Sequence, residues 1–541
     1  MKLDRILLSL LGVGLLLRFV LIFVTPLEHL VQIMSDDGFI AMQIMRNVVE
    51  SGVVSFDGVV TTNGFQPLYY LILLPFFKLL SGVVAYETIA LVMLSVFDVL
   101  TAWVLYSLVS MYYSDRTAKL TAAFWLFNPG TLFIMLMGVE ASVSAFFLGV
   151  FALSYAKVKR GRHLTGAKLV GLGFLWGLLF WARTEFVLLG LPLLVDAWWH
   201  LRRKRGLRAG KSLGMLIAVG LAALLTVLPW LWFSWSLTGH VSQDSGRAIY
   251  ALTHVVPWSL GLFVTKACVF LTKYALKVGN NLGSMALFGL MLGVLFRIVS
   301  PSREGRGSWL WLVGVALFLA ALIPEPNLGL SADATQLALL VGLGVVSFVG
   351  TIGGLRGFSS EGELGKMLRE QGYLLGFAVL HVLFYTTYLW LVQAWHIFSV
   401  LFIGVLFLVP PLFRTLLKQK RFLMIGFVFF VLLVKIFVLW STPSMPWQVD
   451  MYHAGVWLGE NTVEGTVVGA FDAGIVAYFS ERETVNLDGV VNREAEVAFR
   501  EGWTERYIAE RGVSYLMGDK LVPDGFVEVQ RFGDEIIFER R

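Results

Sequence analysis

The sequence predicts an all-α polytopic membrane protein that ends in a small soluble α/β domain. Three observations carry this prediction. Of 541 residues, 57% are apolar and 15% charged, and the mean hydropathy is +0.75, whereas soluble proteins carry about a quarter of their residues as charges. Apolar runs of about the 20 residues needed to cross a bilayer recur between basic clusters. The net charge of +6 divides unevenly: residues 441–541 hold 18 acidic and 9 basic residues, residues 1–440 hold 19 and 34. An ordinary globular enzyme is thereby excluded. A single cysteine, Cys268, excludes an intrachain disulfide.

The first run, residues 6–24, follows Lys2 and Arg5 and lacks a small-residue cleavage pattern, so it is expected to be a retained span. It delivers the chain to an outer loop, 25–66. The next run, 67–80, opens with Pro67 at a favourable first helical position and has 14 residues. As a helix that is about 21 Å, against a hydrocarbon core of roughly 30 Å. It is therefore expected to dip in without crossing, and span two is 86–109. Were both to cross, every later basic loop would fall outside.

Between basic loops, 120–156 provides two short spans with Gly138-Val139-Glu140 at the outer apex, and 169–200 repeats this with Arg183-Thr184-Glu185. Span seven, 213–235, opens a second outer segment, 236–257, followed by a moderately amphipathic piece, 258–278, suited to the interface. Further spans fit 282–299, 308–323, 334–354, 373–393, 397–413 and 422–440. That makes thirteen crossings, with the amino terminus inside and the carboxyl end outside. The basic clusters at 157–168, 202–211, 297–306 and 418–421 then all lie in the cytoplasm. Each sits at the end of a hydrophobic run, which excludes nucleic acid as the partner they serve.

The terminal region reads differently. Strand patterns at 466–470, 484–487 and 513–516 alternate with a helix to Phe479 and a charged amphipathic helix over 494–511, and 526–529 with 535–538 form an edge hairpin. Its first strand, turn and helix lack the G-x-G-x-x-G of a dinucleotide site.

The chemistry concentrates on the outer side. Ser35-Asp36-Asp37-Gly38-Phe39 begins an amphipathic helix and places two carboxylates side by side just beyond the first span. Repulsion and partial desolvation raise one pKa, so one carboxylate can accept a proton while the other orients a group. The structural alternative is helix capping by Ser35, Asp36 or Asp37, and capping needs only one of them. Thr62-Asn63-Gly64-Phe65-Gln66-Pro67-Leu68 follows, with Asn63-Gly64 as a turn on the structural reading and Asn63 and Gln66 as substrate contacts on the functional one. Glu140, Arg183 and Glu185 stand at the two apices; Arg183 pairing with Glu185 is the local alternative to a ligand role. Ionisable groups beside membrane helices are costly unless paired, hydrated or functional, which argues for a polar outer cavity. Arg183 and Arg247 are the first choices to hold an anionic phosphate, because guanidinium is always charged and binds bidentately; His240, His254 and Lys266 follow.

In their order and spacing, four elements resemble the GT-C class of membrane glycosyltransferases: the Asp36-Asp37 pair after the first span, T-N-G-x-x-P-L before a short helix, Asn128-Pro129 with Gly138-x-Glu140, and Arg183-x-Glu185. That class includes protein O-mannosyltransferases, the aminoarabinose transferase of lipid A and the oligosaccharyltransferase catalytic subunit. The resemblance covers residues 1–235, the conserved seven-helix module of the class, leaving 236–440 as a variable membrane module and 441–541 as an extracytoplasmic domain. It implies the GT-C fold and inverting transfer of a sugar from a polyprenyl-phosphate donor to a glycan, lipid or protein hydroxyl at the outer face of the cell membrane. By the same resemblance the first-loop acid is Asp36 or Asp37, and the acid of the next outer loop is Glu140.

The W-W-D signature of oligosaccharyltransferases is absent, so N-linked oligosaccharide transfer is not expected. Val485 to Asn492 resembles tails carried by bacterial members of the class, which could dock the acceptor or form a lid. No cofactor is assigned. A divalent cation between Asp37 and Glu140 stays open, although the outer loop has no D-x-D. The expected partners are the lipid-linked donor, membrane lipids and the acceptor, and the expected state is a monomer. The alternative class, a transporter or lipid flippase, calls for internal repeats and midplane polar breaks, and neither is present in the pattern.

Overall fold

The computed structural model describes residues 4–80, 82–161, 163–253, 362–388 and 393–541. The expectations for His254, Lys266, the interfacial piece 258–278, the spans 282–299, 308–323 and 334–354, and the end of span 373–393 lie outside the described residues.

The chain begins with α1 (Arg5–Val24), α2 (Leu27–Val31), α3 (Asp36–Glu50) and α4 (Pro67–Leu80), then α5 (Tyr86–Val109). The bounds of α4 are those the proline and the charge pattern predict. Next come α6 (Asp115–Leu126) and α7 (Pro129–Leu136), bent by 44°. The bend falls where Asn128 caps α7 through Gly130 N–H and Pro129 takes the first helical position. α8 (Ala141–Arg160) and α9 (Gly166–Ala182) follow, then a 3₁₀ turn Thr184–Leu189, α10 (Gly190–Trp199), α11 (Ala209–Thr238) and α12 (Asp244–Thr253). Gly173 and Gly177 let α9 lie directly on α11, where a Cβ would strike Val219 and Thr226.

Among the described residues, six helices are long and apolar enough to cross a membrane, or seven if α6 and α7 form one broken span. They include α1, α5, α8, α11 and the later helices Phe398–Lys418 and Phe422–Ser441. Helix α9 and the stretch Tyr373–Tyr385 are apolar but shorter. Lipid-facing side chains such as Leu221, Leu225 and Trp232 of α11 and Phe430 and Phe437 of the last span stay exposed. The interior is close-packed around Trp125, Phe151, Phe398 and Phe402. A buried ion pair crosses it: Arg18 of α1 engages Asp98 of α5, Trp125 Nε1 donates to Asp98 at 3.0 Å, and Arg18 also donates to the Gly14 and Leu126 carbonyls.

Charged contacts sort the two ends of the bundle. Lys159 pairs with Asp196 at 2.7 Å, Arg160 with Glu370 at 2.8 Å, Lys119 with Asp115 at 2.7 Å, and Arg414 with Glu363, all at one end. The opposite end gathers the α1–α4 loop, Glu140, Arg183 and the C-terminal domain.

That domain is a five-stranded sheet in the order β2-β1-β3-β5-β4, built from β1 (Val467–Ala470), β2 (Glu483–Asn486), β3 (Tyr515–Met517), β4 (Phe526–Phe532) and β5 (Glu535–Arg540). β1 is parallel to β2 and β3; β5 runs antiparallel to β3 and β4, giving the expected edge hairpin. The predicted helix over 494–511 is two helices, Arg493–Glu501 and Thr504–Glu510, because Gly502 at φ 78° ends the first in a left-handed turn. An additional helix, Gln448–Asn461, precedes β1.

The domain is fastened to the membrane part. Gln448 Nε2 donates to the carbonyls of Val31 and Met34 at 2.5 and 2.6 Å. Arg46 of α3 lies over the Tyr478 ring at 4.2 Å and donates to its carbonyl at 2.9 Å, while the Tyr478 hydroxyl donates to Glu87 at 2.5 Å. Arg511 holds Asp57 of the first loop at 3.1 Å and Glu483 at 2.8 Å. Ile475, Val476 and Ala477 join Phe39 and Ile40 in one apolar cluster.

Candidate active site

The three candidate caps of α3 take different roles. Ser35 is the N-cap: its Oγ accepts Gly38 N–H at 3.1 Å. Its Oγ–H and N–H both donate to the Met137 carbonyl, at 2.9 and 3.1 Å. A Cβ on Gly38 would sit 2.6 Å from that carbonyl, so only glycine admits the contact. The first turn of α3 is thereby pressed against the α7–α8 turn that carries Glu140. Tyr69 of α4 reinforces the junction, donating to the Gly138 carbonyl at 2.6 Å.

With Ser35 as the cap, both aspartates are released from that duty. Asp36 turns to the C-terminal domain and accepts the N–H groups of Gly474 and Ile475 at 3.0 and 2.7 Å, at the start of helix Gly474–Ser480. Burial pushes its carboxyl up to about 7 against the two N–H donors, and the charges of Asp472 and Asp37 add to the rise.

Asp37 is exposed. Among the described residues none donates a hydrogen bond to its carboxylate. Displacement of bulk water by the neighbouring protein raises its carboxyl to about 6; Glu140 and Asp472 raise it further and Arg183 opposes them. A partly protonated, unengaged carboxylate is suited to accept a proton near neutral pH.

Arg183, the C-cap of α9, is buried between two acids and ion-pairs with both Glu140 and Glu185. Its Nη2 donates to the Tyr385 hydroxyl at 3.2 Å. His381, wholly buried, brings Nε2 to 3.8 Å from Glu185 and packs on Tyr385 with ring centroids 4.7 Å apart. Burial would raise Glu185, but Arg183 and then His381 outweigh it and hold the carboxyl well below its ordinary range. The local Arg183–Glu185 pairing therefore forms, and the guanidinium meets the Asp37 side through Glu140.

Asn63 is fully buried and works as a clasp: its side chain accepts Asp244 N–H at 2.8 Å and donates to the Ser242 carbonyl at 3.0 Å. Thr62 Oγ1 and Asn63 N–H both donate to the Asp244 carboxylate, at 3.1 and 3.2 Å. Gln66 meets Gln243 at 3.4 Å, and Gln243 Nε2 donates to the Phe65 carbonyl at 2.7 Å. Residues 62–66 and 242–244 are thus one interlocked platform. Arg247 of α12 stands 3.5 Å from Glu496 of the C-terminal domain.

Several members escaped sequence reasoning. Asp472, paired with Lys520 at 2.6 Å, comes from the C-terminal domain, and its charge acts on both aspartates of the first loop. The Phe471-Asp472-Ala473-Gly474 turn is legible as a turn, but nothing local marks its acid as a neighbour of Asp37. Tyr385 and His381 sit in a run that reads only as a span. Among the described residues no three carboxylates, imidazoles or thiols gather at metal-ligand distance. With Glu140 engaged by Arg183, the Asp37–Glu140 pair does not fit a divalent cation in this arrangement.

This arrangement of first-loop helices, bundle and appended domain is the GT-C fold. The archaeal oligosaccharyltransferase AglB from Archaeoglobus fulgidus, in complex with an inhibitory peptide and a dolichol-phosphate, superposes with a TM-score of 0.51 and 13% identity over 95% of this chain and 69% of that one. The apo form of the A. fulgidus oligosaccharyltransferase gives 0.52 and 14% over the same shares. ArnT from Cupriavidus metallidurans bound to undecaprenyl phosphate gives 0.49 and 13% over 97% of both chains. Residues 445–540 match a domain of unknown function, DUF8728. No curated protein sequence matches the chain.

Proposed function

We propose that the chain is an inverting membrane glycosyltransferase that moves a sugar from a polyprenyl-phosphate donor to a hydroxyl of a glycan, lipid or protein acceptor at the extracytoplasmic face. The observation that carries this reading is the division of labour between adjacent carboxylates: Ser35 caps the helix, Asp36 binds the C-terminal domain, and Asp37 stands unengaged with its carboxyl raised to about 6. The GT-C fold supports it. The basic loops at the far end of the bundle support the sidedness, since positive charge is retained in the cytoplasm.

In the proposed reaction Asp37 accepts the proton of the acceptor hydroxyl as its oxygen attacks the anomeric carbon. The bond from that carbon to the phosphate oxygen breaks, and the electron pair leaves with polyprenyl phosphate. Phosphate leaves as a stable anion, so no general acid is required, and the work of the protein is to orient the hydroxyl and receive its proton. Glu140, fixed by Arg183, keeps negative charge beside Asp37 and sustains its basicity. The catalytic module is residues 1–235, and the 441–541 domain borders the site through its contact with Asp36. The test is transfer of radiolabelled sugar from polyprenyl-phosphate donors by purified protein in lipid nanodiscs, wild type against Asp37→Asn. Equal transfer by both would remove Asp37 from the reaction.

A further inference from the structure

A cavity of about 930 Å³ lies between the outer end of α11, α12 and the C-terminal helix Arg493–Glu501. That is the size of a small-molecule site, and its walls are of two kinds. Trp230, Tyr250 and Phe499 give aromatic surface, and Gln243, Arg247, Glu496 and Arg500 give polar groups.

Glu496 is the informative member. Its side chain is 5% exposed and lies in the first turn of its helix. One oxygen takes Arg500 Nε at 3.0 Å. The other has Arg247 Nη2 at 3.5 Å yet receives no hydrogen bond among the described residues. A buried carboxylate oxygen without a donor is unfavourable unless something in the cavity supplies one.

The charge balance says what that something is. Two arginines face two carboxylates here, Arg247 and Arg500 against Glu496 and, 3.6 Å from Arg500, Glu501, so the four charges cancel. A phosphate entering here would bring its charge against the Glu496 carboxylate, and an alkyl chain would leave that carboxylate oxygen without a donor. A polyhydroxylated neutral ligand matches all three features: hydroxyl donors for Glu496, acceptors for the guanidinium N–H groups, and C–H faces for the aromatic rings.

We propose that this cavity binds a saccharide, as the acceptor pocket of the transferase; the acceptor role rests on the function proposed above. Placement agrees with that role. Thr184, also in the wall, follows Arg183 directly, and its hydroxyl donates to Gln243 Oε1 at 3.3 Å. The pocket thus adjoins the Arg183–Glu140 pair that borders Asp37, and Glu496 and Arg500 in its wall come from the domain that Asp36 fastens.

The experiment uses full-length protein in nanodiscs, probed with an array of neutral oligosaccharides and, separately, with undecaprenyl phosphate. Wild type should capture a subset of the glycans, and Glu496→Gln should weaken that capture at least about tenfold. Phe499→Ser, on the half-buried side of the helix, gives the same readout if Glu496→Gln does not fold. Capture of no glycan, capture unaffected by both variants, or loss of undecaprenyl phosphate binding in their place would overturn the proposal. Glycan capture by a protein that transfers no sugar would leave the saccharide site standing and sink the transferase reading instead.

Discussion

The carboxylate of Asp36 accepts the backbone N–H of Gly474, 438 positions further along the chain. A Cβ at position 474 would collide with the Asp36 carbonyl oxygen, so the approach itself requires the glycine. The first outer loop and the C-terminal domain therefore share a joint at the same two-residue motif that supplies the candidate base.

That joint separates the two aspartates experimentally. Asp37→Asn should lower transfer by at least roughly 10²-fold, the scale of a lost general base, with an unchanged melting temperature. Asp36→Ala removes two hydrogen bonds to backbone N–H groups of the domain, about 1 kcal/mol each, and should loosen it. Limited proteolysis in 442–447 reads this out. Identical behaviour of the two variants in both assays would contradict the assignment.

The rate should follow the ionisation of Asp37. Its carboxyl is raised to about 6, so the basic form dominates above that pH and is lost below it. Transfer should fall as pH drops through about 6, and Asp37→Glu should displace the midpoint. A rate that stays level from about pH 7 to pH 5 would mean that another group, or none, takes the proton.

Arg183→Gln strands Glu140 and Glu185 without their cation. Breaking a buried pair in this way costs about 3–5 kcal/mol, so the variant should melt lower and use donor and acceptor equally poorly. If instead stability holds and only the donor requirement climbs, roughly 10- to 100-fold, the guanidinium contacts the lipid phosphate.

Sidedness is open to chemical labelling. After Cys268→Ser, a cysteine at Ser441 or Glu505, both exposed, should react with an impermeant thiol reagent on intact cells, and one at exposed Lys204 only after permeabilisation. The reverse pattern would place the aspartates in the cytoplasm and refute the proposed outer reaction.

How far the sequence alone carries depends on the range of each interaction. Pro67, the 14-residue length of α4 and the basic loops are local signals, and they predict α4 and the neighbouring helices with nearly the observed ends. Ser35, Asp36 and Asp37 are equally visible, but which of them caps α3 depends on the Met137 carbonyl and on Gly474, 102 and 438 residues away. The break at Gly502 is visible only as one glycine in a helical run, and the amphipathic period on either side of it runs on through. Asp472 and Tyr385 gain meaning only from tertiary neighbours, so periodicity and motif spacing pass over them.

The Arg18–Asp98 pair bears on how the protein is made. An arginine well inside a membrane helix costs about 2.5–3.5 kcal/mol on insertion scales when it has no partner. Here the partner is synthesised 80 residues later. The first helix thus emerges from the ribosome with an unsettled charge and should linger at the insertion machinery until α5 arrives to neutralise it. Arrested nascent chains ending before position 98 should crosslink to the translocon through α1, and chains extending well past it should not. Release of the shorter chains into lipid would show that α1 settles in the bilayer without its acid.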